Sequence, residues 1–230
     1  MHNLGSVLQL TEHRFSGPVI RVIVKYHAEQ DDRVGEGKEI KPIEFWVPRD
    51  LLRHSSKFFQ AATKPEWDAL RDKSHTVTIS FIEPELFQAY IHWLYLGTIP
   101  CTGGDNLDDE SDHILLANLY VVGERLMDSK LKNDLLDTIA NMADDYFPGA
   151  AAICTIYEGT PPESSARRLL TDLCVWGAHA NDNSWPVEYD EYPREALLDI
   201  LKAMTRLREI SVPNDHSPWH KLQDYHEKVE

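Results

Sequence analysis

Phe45-Trp46-Val47-Pro48-Arg49-Asp50-Leu51-Leu52-Arg53-His54-Ser55-Ser56-Lys57-Phe58-Phe59 is the stretch on which the reading of this chain turns. Ile43, Phe45 and Val47 fall on one face and Glu44 and Trp46 on the other, the period of two expected of a strand. Pro48 then suits a first helical turn, where its missing N–H costs nothing. Leu51, Leu52, Phe58, Phe59 and Ala62 supply the apolar positions that follow, over one helix or over two short ones broken at Ser55-Ser56. Trp46 alternates away from Phe45 and Val47, so it points off the buried face, either as a contact residue or as cover for a helix from further along the chain.

Upstream, Val19–Tyr26 alternates too, with Ile20, Val22, Val24 and Tyr26 against Arg21, Ile23 and Lys25. A polar loop joins the two runs, which together read as an antiparallel hairpin. Downstream, Thr76–Phe81 sets Val77, Ile79 and Phe81 against Thr76, Thr78 and Ser80, a third strand. Glu83-Pro84 opens a helix with Phe87, Tyr90, Ile91 and Leu94 at helical spacing, and Gly97 stops it. Residues 101–112 read as an acidic loop. Beyond them every pattern is helical: Leu115, Leu119, Val122 and Leu126 share a face, as do Leu131, Leu135, Ile139 and Met142, with Asp128-Ser129 as a polar break. Pro148, Pro161-Pro162 and Pro193 punctuate three further helices. The second should bury Leu169, Leu170, Leu173 and Trp176; the third offers Leu197, Ile200, Leu201, Met204 and Leu207. Pro213–Glu230 is a polar tail.

The 230 residues are 42% apolar and 27% charged, enough to bury a core and ordinary for a globular chain. The net charge of −15 is unevenly spread: residues 1–100 hold 12 basic and 13 acidic side chains, residues 101–230 hold 11 and 25. Such a balance repels phosphate backbones and anionic membrane surfaces, so neither nucleic acid nor membrane is expected as a partner. No apolar run is long enough to span a bilayer, and the first residues lack a signal-peptide pattern. Cys101, Cys154 and Cys174 are an odd set without a pairing pattern and read as free thiols. The expectation is a cytoplasmic or nuclear protein.

The run from Phe45 to Phe59 resembles the hairpin-to-helix signature of BTB/POZ domains, roughly F-x-V-H-x-x-L-L-x-x-x-S-x-x-F. Val77-Thr78-Ile79 followed by Pro84–Ile99, with Leu94-Tyr95-Leu96-Gly97-Thr98-Ile99, looks like the family's third strand and next helix. Leu115–Leu126 and Leu131–Met142 take the place of its last helical hairpin. Trp67, Ile156-Tyr157-Glu158-Gly159-Thr160-Pro161 and Asp224-Tyr225-His226-Glu227 are similar to single-domain BTB proteins of filamentous fungi. One position departs: the family usually carries His where this chain has Pro48, which cannot donate a hydrogen bond. The resemblance implies an α+β chain: a BTB/POZ fold, a small sheet with surrounding helices over residues 15–145, and an all-helical extension over 146–230 packed on it. It also implies association, with itself or with a cullin-type ubiquitin-ligase scaffold. The family often dimerises through its N-terminal segment and first helices, which here would include Val7, Leu8, Leu10, Leu51 and Leu52.

Motifs for chemistry are missing. His216-x3-His220 has ligand spacing and His226 follows, but Pro218 interrupts the helix that would present them and no cysteine pair accompanies them. The acidic run Asp105, Asp108, Asp109, Glu110 and Asp112 lacks calcium-loop spacing, and Gly35-x-Gly37 lacks the third glycine of a dinucleotide loop. No G-x-S-x-G, H-E-x-x-H or G-x4-G-K-[ST] occurs. The expectation is therefore a non-catalytic interaction module, without cofactor or metal, and a candidate substrate adaptor for a cullin-type ubiquitin ligase. The alternative is a homo-oligomerisation scaffold linked to transcription. A remote alternative is a metal-dependent enzyme using the C-terminal histidines. The candidate interface is Val7, Leu8, Leu10, Trp46, Leu51 and Leu52, placed in the near-neutral N-terminal part because two highly acidic halves repel.

Overall fold

Alternation of apolar and polar residues builds the first layer: strand β1 (Val19–Val24) turns Ile20, Val22 and Val24 inward, all buried. In the computed structural model, which describes residues 17–25, 42–64, 66, 75–100, 109–143, 146–177 and 189–207, β1 pairs antiparallel with β2 (Ile43–Pro48). The register sets Ile20 opposite Val47 and Val22 opposite Phe45 on the core face, and Arg21 opposite Trp46 and Ile23 opposite Glu44 on the other. Strand β3 (Thr76–Ile79) joins β1 in parallel on its far side, so the order is β2-β1-β3. β3 ends at Ile79, short of the expected Phe81. Phe81 leaves the strand and packs edge-on against Phe58, ring centroids 5.6 Å apart. Tyr26 lies outside the described residues.

The helical run after β2 is two helices, α1 (Arg49–Ser55) and α2 (Lys57–Ala62). Pro48 stands at the N-cap position, just outside the first turn of α1, and its side chain makes no capping bond. The break is held by buried Ser56, whose hydroxyl accepts from the Phe59 N–H at 3.2 Å and donates to the Leu126 carbonyl at 2.7 Å. Such a cap satisfies a helix-end N–H that burial would otherwise strand. Helix α3 (Pro84–Leu96) buries Phe87, Tyr90, Trp93 and Leu94 and ends on Gly97, in the left-handed conformation glycine favours (φ 69°). Phe45, Phe59, Phe87 and Tyr90 interlock beneath the sheet at ring distances of 5.1 to 6.3 Å.

Helix α4 spans Asp109–Arg125. The acidic run therefore ends earlier than expected: Glu110, Ser111 and Asp112 belong to the first turn of α4, where carboxylates are favoured by the positive end of the helix dipole. Helix α5 (Ser129–Met142) follows, capped by buried Asp128, which accepts from the Leu131 N–H at 3.0 Å and from the Tyr90 hydroxyl at 2.9 Å.

Helices α6 (Ala150–Gly159), α7 (Ser165–Gly177) and α8 (Arg194–Leu207) complete the chain, with a short 3-10 turn at Tyr189–Glu191. α6 lies against α4, and a Cβ at Gly159 would sit 2.3 Å from Val121, so glycine is what allows that approach. Buried side chains from β1 to α8 form one core cluster. Two expectations about the last helices are corrected. Trp176 is 68% exposed, with α7 burying Ala166, Leu170 and Cys174. On α8, Ala196 and Ile200 face inward while Leu197, Leu201 and Met204 face outward. Both sides of α8 carry apolar residues, so periodicity alone did not say which side meets the core.

Candidate interaction surface

The outward face of the sheet is built by the same alternation that fills its core. Arg21 and Trp46 are direct cross-strand partners, and Glu44, opposite Ile23, is the next residue of β2 on that face. Arg21 donates from Nε to Glu44 at 2.8 Å and from Nη2 to the other carboxylate oxygen, a bidentate pair. This pairing with Glu44 raises the Arg21 pKa above its ordinary value. The guanidinium also lies over the Trp46 ring, 5.9 Å from its centroid. Trp46 remains 64% exposed, with Val19 exposed beside it. Among the described residues no helix covers it. The surface is thus a large aromatic whose neighbouring charges already neutralise one another, offering apolar area without a net field.

The other expected interface residues are placed differently. Leu51 and Leu52 are core side chains, 2% and 0% exposed, because the turn after Pro48 rolls that face of α1 inward. They offer no surface to a partner. Val7, Leu8 and Leu10 lie outside the described residues, as do Cys101, His216, His220 and His226. On α3, Tyr95 and Leu96 are exposed at the C-terminal end while Tyr90 and Trp93 are buried.

A groove of about 680 Å³ runs between α7 and α8. Its floor includes Arg167, 5% exposed and held on every side. Nε donates to the Thr160 hydroxyl at 3.1 Å, Nη1 to Glu195 at 2.7 Å, and Nη2 to the carbonyls of Tyr157 and Thr160 at the end of α6. The guanidinium also stacks over the Tyr157 ring at 4.6 Å. Four of its five N–H groups serve the junction of α6, α7 and α8, so the guanidinium is committed chiefly to holding those helices together. Sequence reasoning did not single it out; the available signal was an arginine in the turn after a Pro-Pro stop, near α6's unpaired carbonyls.

Neither described thiol is an activated nucleophile. Burial pushes Cys174 up to about 12, and burial with the charges of Glu158 and Glu191 raises Cys154, so both stay protonated near neutral pH. Among the described residues no three His, Cys, Asp or Glu side chains gather as a metal site, and no helix is long and apolar enough to cross a membrane.

No protein-family model matches the chain, and no curated protein matches it. Among solved structures it is similar to the BTB (Tramtrack and Bric a brac) domain of human gigaxonin, at 12% identity over 57% of this chain and 84% of that one, with a TM-score of 0.33. It is also similar to the BTB domain of zebrafish PATZ1, at 14% identity over 52% of this chain and 75% of that one, with a TM-score of 0.31.

Proposed function

We propose that this chain is a non-catalytic protein-interaction module of the BTB/POZ type, working in the cytoplasm or nucleus, that self-associates through the outer face of β1 and β2. The observation that carries the reading is Trp46: a large aromatic, exposed on a rigid sheet and oriented by its neighbours, is the residue type that anchors protein interfaces. The signature residues support it, since Phe45 to Phe59 runs from β2 through α1 to α2, and the Gly97 motif ends α3. A role as substrate adaptor for a cullin-type ubiquitin ligase extends the proposal, with the scaffold meeting α3 near Tyr95 and Leu96. The scaffold reading linked to transcription needs self-association alone.

Sedimentation equilibrium on the intact chain and on Trp46→Ala tests the first part. A dimer at micromolar concentration that weakens about tenfold in the variant is expected, and a chain monomeric at high micromolar concentration rejects self-association. Mixing with a purified cullin scaffold tests the second. A complex lost in Leu96→Asp is expected; no complex at all leaves the oligomerisation scaffold. Elemental analysis finding about one zinc per chain, lost with His220 and His226, would favour the enzyme alternative instead.

A further inference from the structure

Strand β2 ends the sheet, with β1 on one side and, among the described residues, no strand on the other. Pairing parity fixes which backbone groups face that open side. The Arg49 N–H donates to the Pro18 carbonyl at 2.9 Å, in the register that pairs Ile20 with Val47 and Val22 with Phe45. On β1, Arg21 and Lys25 send their N–H groups the other way, to the carbonyls of His75 and Ile79. Hydrogen-bonded pairs recur at every second residue of an antiparallel ladder, so Ile43, Phe45 and Val47 turn their backbones to β1. Glu44, Trp46 and Pro48 turn theirs outward, and Pro42, exposed just before the strand, continues that parity.

Two of these four outward positions are proline, which has no N–H to give. They stand three residues either side of Phe45, one at each end of Ile43-Glu44-Phe45-Trp46-Val47. That run is of the kind that recruits further strands: β-branched and aromatic, with a single charge already held by Arg21. Proline at an outward position is one of the devices that blunt such an edge. A proline at 43, 45 or 47 would instead cost a ladder bond to β1, so both fall where they obstruct a newcomer and spare the sheet. Pro48 has a second duty at the start of α1, whereas Pro42 lies outside every helix.

We propose that Pro42 and Pro48 guard the β2 edge, so that a second copy meets the Trp46 surface face to face instead of joining its sheet to this one. That a second copy is the occupant rests on the self-association proposed above; the guard does not depend on it. Stacked faces lie about 10 Å apart, a gap that Trp46 and Val19 fill from each side, whereas edge pairing would bring strands to about 4.8 Å and take up the Trp46 N–H. A face used once by each copy about a two-fold axis closes at the dimer, while an unguarded edge accepts a strand from any source.

The test compares the intact chain with Pro42→Thr, with Pro48→Thr and with the double variant. Pro162→Thr, at an exposed proline away from the sheet, is the control. Sedimentation equilibrium reads association, and NMR on equal mixtures of labelled and unlabelled chain reads which protons of one copy touch the other. In the wild type, contacts between copies should come from the Trp46 indole and none from its backbone N–H. The double variant should associate about tenfold more tightly, show Trp46 N–H contacts to the second copy, and keep that gain when Trp46→Ala is added. Pro162→Thr should behave as the wild type. Wild-type contacts between copies through the Trp46 N–H would overturn the proposal, and so would a double variant that associates no better than the wild type or than Pro162→Thr. If the double variant loses its melting temperature, Pro42→Thr decides: a gain of the same kind supports the guard and no gain overturns it. A wild-type chain monomeric at high micromolar concentration would reject self-association as the function. The proline variants would then judge the guard alone, an edge-paired species supporting it and its absence overturning it.

Discussion

The outer sheet face and the outer face of α8 both present large apolar side chains, yet they differ in what surrounds them. Around Trp46 the charges are closed on themselves, Arg21 chelated by Glu44 and stacked on the ring. Along α8 the acids are paired away from the apolar stripe, Glu195 with Arg167 and Asp199 with Lys202. Exposed apolar area of similar kind therefore sits in different settings: an aromatic patch with its charges paired against it tolerates a copy of itself, whereas the α8 stripe has its ion pairs on other faces of the helix. The difference traces to secondary structure: on the strand pair Arg21 reaches Glu44 diagonally across the ladder on the same face as Trp46, while a helix separates its ion pairs from its apolar stripe by rotation.

The comparison can be broken hardest at Leu51. If the leucines of α1 shared the Trp46 surface, Leu51→Asp would disturb association and spare the fold. Because Leu51 is core, the variant should lose more than about 4 kcal/mol of stability, read as a collapse of the urea midpoint. A stable, merely monomeric variant would return Leu51 to the interface. Next in size is Arg167→Ala. Losing the guanidinium leaves carbonyls of α6 unpaired, and about 2–4 kcal/mol should follow. Because Arg167 sits at the α6–α8 junction, self-association through Trp46 should persist in this variant, and a dimer lost with the guanidinium would show that the two regions are not separate.

A pH series separates the halves in another way. The Cys174 thiol rises from its ordinary 9.0 to about 12 because burial disfavours the thiolate. Between those values the unfolded chain has given up a proton that the folded chain keeps, so stability falls as pH rises from about 9 towards 12 and is fully present below 9. Cys174→Ala should flatten that alkaline limb by an amount seen in urea midpoints measured at pH 8 and pH 10.5. An unchanged slope would mean the thiol is not buried in the folded chain. The smallest expected effect on stability is that of Trp46→Ala, within about 0.5 kcal/mol, since the ring supports no core contact. A larger loss would make Trp46 structural and remove the main support for the sheet-face interface.

Much of this architecture was legible in the sequence because it is written locally. Alternation in Ile20 to Val24 and in Phe45 to Val47, the break at Ser55-Ser56, and the stop at Gly97 each depend on a few adjacent residues. Trp46 was legible for the same reason: in a strand, facing away from Phe45 and Val47 follows from parity alone. The errors have a common cause. Leu51 and Leu52 look like any leucines on an amphipathic helix, and only the roll of α1 beneath the sheet decides that they are covered. Trp176, Leu201 and Met204 look like core because apolar residues usually are, and what exposes them is the lack of a neighbour on that side among the described residues. Asp128 reads as a polar break, which it is, but its bond to Tyr90 spans 38 residues. No local pattern records that.

Ser56 and Asp128 bring two helix starts to one place. Ser56 caps α2 and donates to the Leu126 carbonyl, the Phe58 N–H reaches the same carbonyl at 3.2 Å, and Asp128, two residues on, caps α5 while holding Tyr90. The two caps are joined through the corner at Leu126 to Asp128 and through Tyr90, whose hydroxyl meets both Ser56 and Asp128. In the language of isotope exchange, the Phe59 and Leu131 amides belong to one opening event: deuterium should enter both at a common rate, set by the unfolding of the sheet-and-helix core and not by fraying of either helix.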